Sequence, residues 1–159
     1  MTDSLASMLA PHRVRRACDC ASKKRLLEVV AGLIADGSPG LDENRLCESF
    51  NTRERLGSTG IGEGIAIPHC RFKDCRTATA ALVTLERPID FAAIDDRPVD
   101  IVFALVVPEE AAEAHLQLLA RLAGLFSDHA FCARLRACRD AAQMHHCLGA
   151  AWEHGAAAP

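Results

Sequence analysis

Two segments in the first third of the chain repeat apolar residues at helical spacing, each after a residue that caps helices well. The pattern predicts a helix over 23–36 behind Ser22, closed by the turn residues 37–40. It predicts a second helix behind Asp42 that runs to about Arg53. Their apolar faces contain Leu26, Val30 and Leu33 in the first helix and Leu46 and Phe50 in the second.

Strands are predicted where apolar residues alternate with polar ones or run without a break. Residues 79–86 form one predicted strand and 100–107 another, and the unbroken apolar run of the second favours a central position in a sheet. Residues 87–98 between them contain two prolines and three aspartates and are predicted to be a loop with a short extended piece. Residues 1–21 are predicted to be irregular apart from a short strand at 14–18. Further alternation predicts one or two short strands around Ile61, Ile65 and Ile67.

Three more helices are predicted in the last third of the chain. Pro108 stands where the first of them can begin, with the carboxylates of 109–110 in its first turn and an apolar face that continues to Phe126. That face is predicted to consist of Leu116, Leu119 and Ala123, flanked by Leu118, Leu122 and Leu125. Asp128 and Asp140 cap the other two helices. The elements together predict an α/β domain in which a single layer of sheet is covered by helices.

Composition and charge are those of one soluble globular domain. The chain has 159 residues, of which 50% are apolar and 25% charged, so it is long enough to bury a sizeable core. We assign residues 1–159 to one domain, with its core at about 5–150 and a disordered tail at 155–159. A net charge of −3 argues against a nucleic-acid-binding surface. The chain shows no signal-peptide pattern and no apolar run near the roughly 20 residues that span a bilayer, so we expect a cytoplasmic protein without membrane insertion.

Residues 53–71 carry the most specific chemical pattern in the chain. Glycines follow two arginines there and are interleaved with hydroxyl groups. Glycine allows backbone N–H groups to turn towards an anion, and the candidate phosphate-binding residues are Ser58, Thr59, Gly60 and Gly62. No Gly-Lys-Ser/Thr triplet follows, and the dinucleotide-binding glycine pattern is incomplete. A nucleotide-binding loop of either common type is therefore disfavoured.

A histidine closes this segment and supplies the nucleophile that phosphate-binding loops lack. Neutral imidazole is abundant near pH 7, and Pro68 restricts the backbone just before His69. Arg53 offers a guanidinium that can neutralise phosphoryl oxygens. His115, in the first turns of the helix after the central strand, could donate a hydrogen bond to a phosphoryl oxygen or set the tautomer of His69. A glycine-rich turn with a surface histidine, and a partly buried helix histidine, are the simpler interpretations of the same residues.

The run from Thr52 to His69 resembles the active-site signature of the mannitol/fructose-type EIIA domains of the bacterial phosphotransferase system. It is most similar to the nitrogen-regulatory branch of that family, the PtsN or EIIA-Ntr proteins. The likeness covers about residues 5–150 and includes Ser22-Lys-Lys-Arg, Pro88-Ile-Asp-Phe-Ala-Ala-Ile-Asp, the segment from Pro98 to Pro108, and Ala114-His-Leu. It implies a mixed sheet of about five strands flanked by helices.

The resemblance also implies a function and roles for individual residues. His69 would accept a phosphoryl group on Nε2, as tele-phosphohistidine, from an HPr-like phosphocarrier or its nitrogen-branch version, NPr. Arg53 would stabilise the phosphoryl oxygens, His115 would be the supporting histidine, and no cofactor or metal would be needed. Potassium-transport components, sensor kinases and other nitrogen or stress signalling proteins would be the regulated partners. No EIIB-like or EIIC-like segment is fused to these 159 residues, which favours a regulator over a transport subunit.

Three other interpretations stay open. A sugar-specific EIIA would use the same histidine and pass the phosphoryl group to an EIIB cysteine. A binding module with the same fold would not be phosphorylated, although the intact His69, Arg53 and His115 argue against it. Eight cysteines would allow a metal- or redox-responsive module, yet paired Cys-x2-Cys knuckles are missing. One of these cysteines, Cys70, follows His69 where the family often has glycine, and its bulk could narrow the access of a partner.

Overall fold

A six-stranded mixed sheet forms the centre of the computed structural model, which describes residues 4–157 and the side chains of residues 4–154. The strands are β1 (Val14–Cys18), β2 (Gly60–Gly62), β3 (Ile65–Ala66), β4 (His69–Phe72), β5 (Thr79–Ile89) and β6 (Val99–Pro108). Their order is β1-β5-β6-β3-β2, and β4 also pairs with β6. β5 is antiparallel to β6 and β2 to β3, whereas β1 is parallel to β5, and β3 and β4 are parallel to β6. The sheet is mixed as expected and has one strand more than the expected number, which is β4.

Strand β6 is the central strand, as its unbroken apolar run predicts. β5 pairs along one side of it, and β3 followed by β4 pairs along the other. Alternate residues of β6 enter the two cores on either side of the sheet: Val102, Ala104 and Val106 on one face, and Ile101, Phe103, Leu105 and Val107 on the other. Because β4 lies directly beside this strand, its first residue, His69, is anchored to the centre of the sheet.

Six helices cover the two faces of the sheet within residues 4–157. They are α1 (Leu5–Met8), α2 (Lys23–Ala35), α3 (Glu43–Leu56), α4 (Ala112–Phe126), α5 (His129–Ala137) and α6 (Ala141–Ala157), with a 3-10 turn at Pro11–Arg13. Helices α2 and α3 pack on one face, where Leu26 and Phe50 are fully buried. The other helices pack on the opposite face around Phe126 and Phe131. Each such side chain contributes about 1.5–3 kcal/mol through burial.

Four helices begin at the polar residue that the sequence predicts. The side chains of these residues accept hydrogen bonds from backbone amides in the first turn: Ser22 from Arg25, Asp42 from Arg45, Asp128 from Ala130 and Asp140 from Gln143. An N-cap of this kind contributes about 1 kcal/mol. The starts of α2, α3, α5 and α6 are therefore confirmed.

The predicted end of α3 at about Arg53 is one turn too early. The helix continues to Leu56 and ends before Gly57, so Arg53 lies inside its last turn. Leu56 is 82% exposed, and no apolar periodicity marks this turn. The extra turn matters because it holds Arg53 on a rigid element.

The prediction that α4 begins at Pro108 is wrong. Pro108 ends β6, where it pairs with Phe72 of β4, and residues 109–110 form a turn before the helix. The predicted inner face is wrong at Leu116, which is 68% exposed, whereas its predicted flanking residues Leu118 and Leu122 are buried. The buried residues of α4 are His115, Leu118, Leu122 and Phe126. Leucines occur on several sides of this helix, so the sequence pattern alone does not identify its inner face.

Both ends of the chain contain more helix than predicted. The strand at 14–18 is confirmed, but α1 and the 3-10 turn precede it in a stretch predicted to be irregular. Helix α6 continues to Ala157, so the tail predicted to be disordered is helical up to that residue. Residues 1–3 and 158–159 lie outside the described part of the chain. Within the described part, no helix combines the length and the apolar character needed to cross a membrane.

Candidate functional site

The sheet and one hydrogen bond fix the orientation of His69. Its backbone pairs with Leu105 of β6, and the Leu105 amide donates to the carbonyl oxygen of Pro68 at 2.9 Å. The ring Nδ1 lies 2.8 Å from the carbonyl oxygen of Ile67. A carbonyl oxygen only accepts, so Nδ1 carries the proton and donates it to this bond. The lone pair is therefore on Nε2, which becomes the nucleophilic atom of the ring.

His115 lies against His69 from the first turn of α4. The two ring centroids are 5.3 Å apart and the ring planes are 75° from parallel. His115 is only 9% exposed, and its buried Nε2 has no hydrogen-bond partner among the described residues. Leaving such an atom unpaired costs on the order of 1–3 kcal/mol. The atom therefore marks a position that a ligand oxygen can occupy.

Both imidazoles are held in their neutral forms. Burial lowers the pKa of His69 below 6.5, and the charge of Arg53 lowers it too, against the opposing effects of the Nδ1 hydrogen bond and of Glu54. Burial lowers the pKa of His115 to about 4, helped by repulsion from a protonated His69 ring and by the charges of Arg71 and Arg53. Near pH 7, His69 therefore has a lone pair for attack and His115 has a single N–H to donate.

Replacing His115 by glutamine should make the fold less sensitive to acid. The pKa of His115 is about 4 in the folded protein and 6.5 when unperturbed, so the unfolded chain binds more protons between these pH values. Wild-type stability therefore falls as the pH drops from above 6.5 towards 4. We expect His115→Gln to lose less stability between pH 7 and pH 5, by on the order of 1 kcal/mol in urea unfolding. The exposed His146→Gln serves as control, and an equal acid sensitivity of both variants would contradict a buried neutral His115.

Arg53 lies at the edge of the site, in the last turn of α3. Its Nη1 donates to the carbonyl oxygen of Gly57 at 2.8 Å, which satisfies an acceptor at the end of the helix. A guanidinium has five N–H donors, so this bond leaves others for a ligand. The charge of Arg53 lowers the pKa of both His69 and His115, so it acts on both rings. The structure thus brings together the three residues that the sequence singles out for catalysis.

The hydroxyl groups of the glycine segment are already used within the protein. The Oγ of Ser58 donates to the carbonyl oxygen of Phe91 at 2.7 Å and accepts from the amide of Gly60 at 3.0 Å. Thr59 donates both its amide and its hydroxyl to the carboxylate of Glu54. The prediction that Ser58, Thr59 and Gly60 supply donors to a phosphate therefore needs correction, because these donors hold the loop in shape.

The turn between β2 and β3 needs its glycines for steric reasons. Gly62 and Gly64 have φ angles of 99° and 84°, in the left-handed region that favours glycine. A Cβ on Gly64 would lie 2.8 Å from both Arg136 and Asp100, which form an ion pair at 2.8 Å. Gly62, predicted to bind phosphate, pairs within the hairpin and acts as a turn residue.

Two charged residues near His69 are missing from the sequence-based set. Arg71 follows His69 by two positions in β4, so both side chains leave the same face of the strand. The alternation of strand residues could have identified it. Glu54 has a side chain only 5% exposed and bonds to Lys23 and Thr59. No local pattern marks Glu54, because one of its partners lies 31 positions away in another helix.

A basic groove lies beside Arg53, between α3 and β4. It has a volume of about 780 Å³, and residues that line it include Arg45, Arg53, Leu56, Arg71, Phe72 and Glu109. Three arginines and two carboxylates, those of Glu109 and Glu48, line the groove, so its lining carries one net positive charge. Anionic groups that approach His69 are therefore attracted from this side.

Cys70 belongs to the core and not to the face that carries His69. It is 7% exposed and packs with Cys75 in the core under α2 and α3. Burial raises the pKa of Cys70 to about 12 and that of Cys75 to about 11, so both are protonated thiols near pH 7. Cys70 therefore points away from the imidazole, although it contributes to the lining of the basic groove. Among the described residues, no group of three or more His, Cys, Asp or Glu side chains could hold a metal ion.

The chain is similar to proteins of one phosphotransferase family over most of its length. The model of the family described as "Phosphoenolpyruvate-dependent sugar phosphotransferase system, EIIA 2" matches residues 7–150. The nitrogen regulatory protein of Pseudomonas aeruginosa is 42% identical over 141 residues, which cover 89% of this chain and 92% of the relative.

Solved structures of EIIA proteins have the same fold as this chain. The crystal structure of the nitrogen regulatory protein IIA-Ntr from Neisseria meningitidis matches with a TM-score of 0.85 at 35% identity. The match covers 91% of this chain and 98% of that one. The mannitol IIA of Escherichia coli matches with a TM-score of 0.72 at 16% identity, covering 86% and 96% of the two chains, so it shares the fold.

Proposed function

This chain belongs to the EIIA 2 family of the phosphoenolpyruvate-dependent sugar phosphotransferase system, and on that premise we propose that it is a histidine phosphocarrier of the nitrogen-regulatory type. In this proposal Nε2 of His69 accepts a phosphoryl group from an HPr-like or NPr-like phosphocarrier protein. The observation that carries it is the bond from Nδ1–H to the carbonyl oxygen of Ile67, which leaves the lone pair on Nε2. The unpaired Nε2 of His115 in the adjacent ring supports the same site.

The transfer exchanges one nitrogen–phosphorus bond for another. Nε2 of His69 attacks the phosphorus of a phosphohistidine on the donor, and the donor's own nitrogen–phosphorus bond breaks and returns its lone pair. The attacking ring gains positive charge, which the Nδ1–H shares with the carbonyl oxygen of Ile67. The donor supplies the activated phosphoryl group, and Arg53 supplies the positive charge, so the proposal includes no metal and no cofactor.

Arg53 and His115 act on the phosphoryl oxygens in this proposal. The guanidinium of Arg53 keeps donors beyond the one used on Gly57, and its planar fork suits two phosphoryl oxygens at once. A neutral His115 with its proton on Nε2 donates one further hydrogen bond and satisfies its own buried atom. Arg71, on the same face of β4 as His69, adds positive charge at the entrance.

Exposed apolar side chains, two of them beside residues of the site, support a protein as the donor. The exposed large apolar residues of the described chain are Leu56, Ile61, Ile94 and Leu116, which we name the apolar rim. Leu56 lines the basic groove, and Leu116 follows His115 in α4. Ile94 approaches the β2–β3 turn, where it lies 3.9 Å from a Cβ built on Gly62. Protein interfaces bury apolar side chains of this kind, whereas a small phosphate donor has no use for them.

Aspartate in the apolar rim should weaken the carrier and leave the chemistry intact. We expect Leu56→Asp and Leu116→Asp each to raise the KM for the phosphocarrier roughly 5-fold to 30-fold, the effect of about 1–2 kcal/mol of lost burial. The rate at saturating carrier should stay near the wild-type value in steady-state phosphotransfer assays. Ala133→Asp changes an exposed residue of α5 in the same way and serves as control. An unchanged KM in both rim variants would show that the apolar rim is not part of the surface that binds the carrier, which we call the docking surface.

Mass spectrometry of the intact protein tests the proposed function. The chain is incubated with phosphoenolpyruvate, enzyme I and either HPr or NPr. One added phosphoryl group that is lost on acidification supports the proposal, and no added mass with either carrier overturns it. A further incubation with mannitol- or fructose-type EIIB separates a regulator from a sugar transport subunit, because only the subunit should pass the phosphoryl group to an EIIB cysteine.

Phosphorylation would act as a signal by changing the charge of the docking surface. A phosphoryl group adds about −1.5 to −2 charges near pH 7, in a setting of arginines and apolar side chains. We propose that nitrogen, potassium-transport, sensor-kinase or stress-related partners in the cytoplasm distinguish the two forms, on the basis of the similarity to nitrogen regulatory proteins. Titration of a purified partner with each form tests this, and equal affinities would contradict it.

A further inference from the structure

We propose that Glu54, held by Lys23, is a positioning residue that orients His69 through Thr59 and Ile67. The inference rests on the proposed function of His69, and it assigns a role to a buried ion pair that the transfer step itself does not use. Neither Glu54 nor Lys23 lies in the candidate set derived from the glycine segment. The pair connects the N-terminal end of α2 to the last turn of α3, directly below that segment.

Glu54 is a buried carboxylate whose two oxygens contact Lys23 and Thr59. Its side chain is 5% exposed, and Oε1 lies 2.7 Å from Nζ of Lys23. The amide of Thr59 donates to Oε1 at 3.2 Å, and the hydroxyl of Thr59 donates to Oε2. Thr59 is itself 5% exposed. Two donors on the same residue therefore hold Thr59 in one place.

A continuous path of hydrogen bonds leads from Thr59 to the nucleophile. The amide of Ile67 donates to the carbonyl oxygen of Thr59 at 3.0 Å. The carbonyl oxygen of Ile67, on the other side of the same residue, accepts the proton of His69 Nδ1 at 2.8 Å. A displacement of Thr59 therefore moves the acceptor that determines which ring nitrogen of His69 carries the lone pair.

Lys23 fixes the same loop from a second direction. Its ammonium lies 3.4 Å from the carbonyl oxygen of Phe91 and 4.5 Å from the centroid of the Phe91 ring. That carbonyl oxygen also accepts from Ser58, the residue before Thr59. Lys23 therefore contacts both the carboxylate of Glu54 and the carbonyl oxygen that accepts the hydrogen bond of Ser58.

The negative charge of Glu54 also affects His69, in addition to the geometric effect of the hydrogen-bond path. Arg53 and Glu54 of α3, Arg71 of β4 and His115 of α4 are the titratable and charged groups around the imidazole. The carboxylate of Glu54 raises the pKa of His69, against the charge of Arg53. A buried ion pair costs solvation energy and is often replaceable by apolar residues. In this protein the Lys23–Glu54 pair does two things: Glu54 holds Thr59 through two hydrogen bonds, and it places a negative charge near His69.

Glu54→Gln tests the proposal because glutamine keeps the shape and removes the charge. Nitrogen-15 NMR of the ring measures the pKa of His69 and the fraction with the proton on Nδ1, and stopped-flow assays measure phosphoryl acceptance. We expect a lower pKa of His69 and an acceptance rate roughly 10-fold to 100-fold slower. Glu28→Gln is the matched control, since Glu28 pairs with Arg25 at 3.0 Å on the exposed side of α2. It should behave as the wild type in all three measurements.

Lys23→Met is the second variant and reverses the sign of the electrostatic effect. It leaves the carboxylate without its cation, so the pKa of His69 should rise above the wild-type value, while the loss of the anchor still slows acceptance. This variant also decides the question if Glu54→Gln does not fold. Opposite shifts in the two variants support the proposal.

A wild-type pKa, tautomer and rate in both variants would overturn the proposal. A loss of stability with unchanged NMR values for His69 would also overturn it, because the pair would then only support the fold. If the wild type accepts no phosphoryl group, the proposed function fails, while the NMR measurements still decide whether the pair positions the ring.

Discussion

His69→Ala is expected to accept no phosphoryl group and to keep its fold. The substitution removes Nε2, the only ring nitrogen at this site with a lone pair directed by a fixed tautomer. The backbone pairing of residue 69 with Leu105 does not depend on the side chain, so β4 should remain in place. Intact-mass spectrometry after incubation with phosphoenolpyruvate, enzyme I and carrier measures uptake, and circular dichroism measures the fold.

His146→Ala is the matched control for this experiment. His146 is an exposed histidine of α6, and its replacement should leave uptake at the wild-type level. Acid-labile phosphate on His69→Ala would place the acceptor on another residue. Such a result would contradict the assignment even if the protein proves to be a phosphocarrier.

Arg53→Ala is expected to slow phosphoryl acceptance by roughly 10²-fold or more, the usual effect of removing one preorganised charge from a transferring group. The guanidinium is held in the last turn of α3 and needs little reorganisation when charge develops on the phosphoryl oxygens. Rapid-quench kinetics with a phosphorylated carrier measures the rate. Arg55→Ala is the control, because Arg55 is an exposed arginine in the same helical turn.

The Arg53→Ala substitution should also change the pKa of His69. The charge of Arg53 lowers the pKa of His69, so Arg53→Ala should raise it. The rate must therefore be compared well above this pKa, where His69 is neutral in both proteins. A wild-type rate there would remove Arg53 from the site, and a deficit that disappears at high pH would limit its role to tuning the imidazole.

Helix starts and the central strand are predictable from the sequence because each depends on local residues. A single side chain at Ser22 or Asp128 accepts a hydrogen bond from a backbone amide two or three residues later, so this contact does not depend on distant parts of the chain. The unbroken apolar run of β6 reflects burial on both faces. The start of α4 is not predictable in this way, since Pro108 stays in the strand through its pairing with Phe72.

The nucleophile is predictable for the same reason, and its surroundings are not. The signature that ends at His69 is a continuous stretch of sequence, so its resemblance to a family is specific. The hydrogen-bond donors of Ser58 and Thr59 are used on Phe91 and Glu54, and only the folded chain shows that they are occupied. Long-range partners therefore decide which residues of a glycine segment face a ligand.

The central claim is that Nε2 of His69 accepts the phosphoryl group. It is tested most directly by locating the phosphorus–nitrogen bond in the phosphorylated protein. The phosphorylated protein, labelled with nitrogen-15 in its histidine rings, is analysed by phosphorus–nitrogen correlation NMR. The account predicts phosphorus bonded to Nε2 of His69, with the proton still on Nδ1 opposite the carbonyl oxygen of Ile67. Phosphorus on Nδ1, on His115 or on any other residue would contradict it.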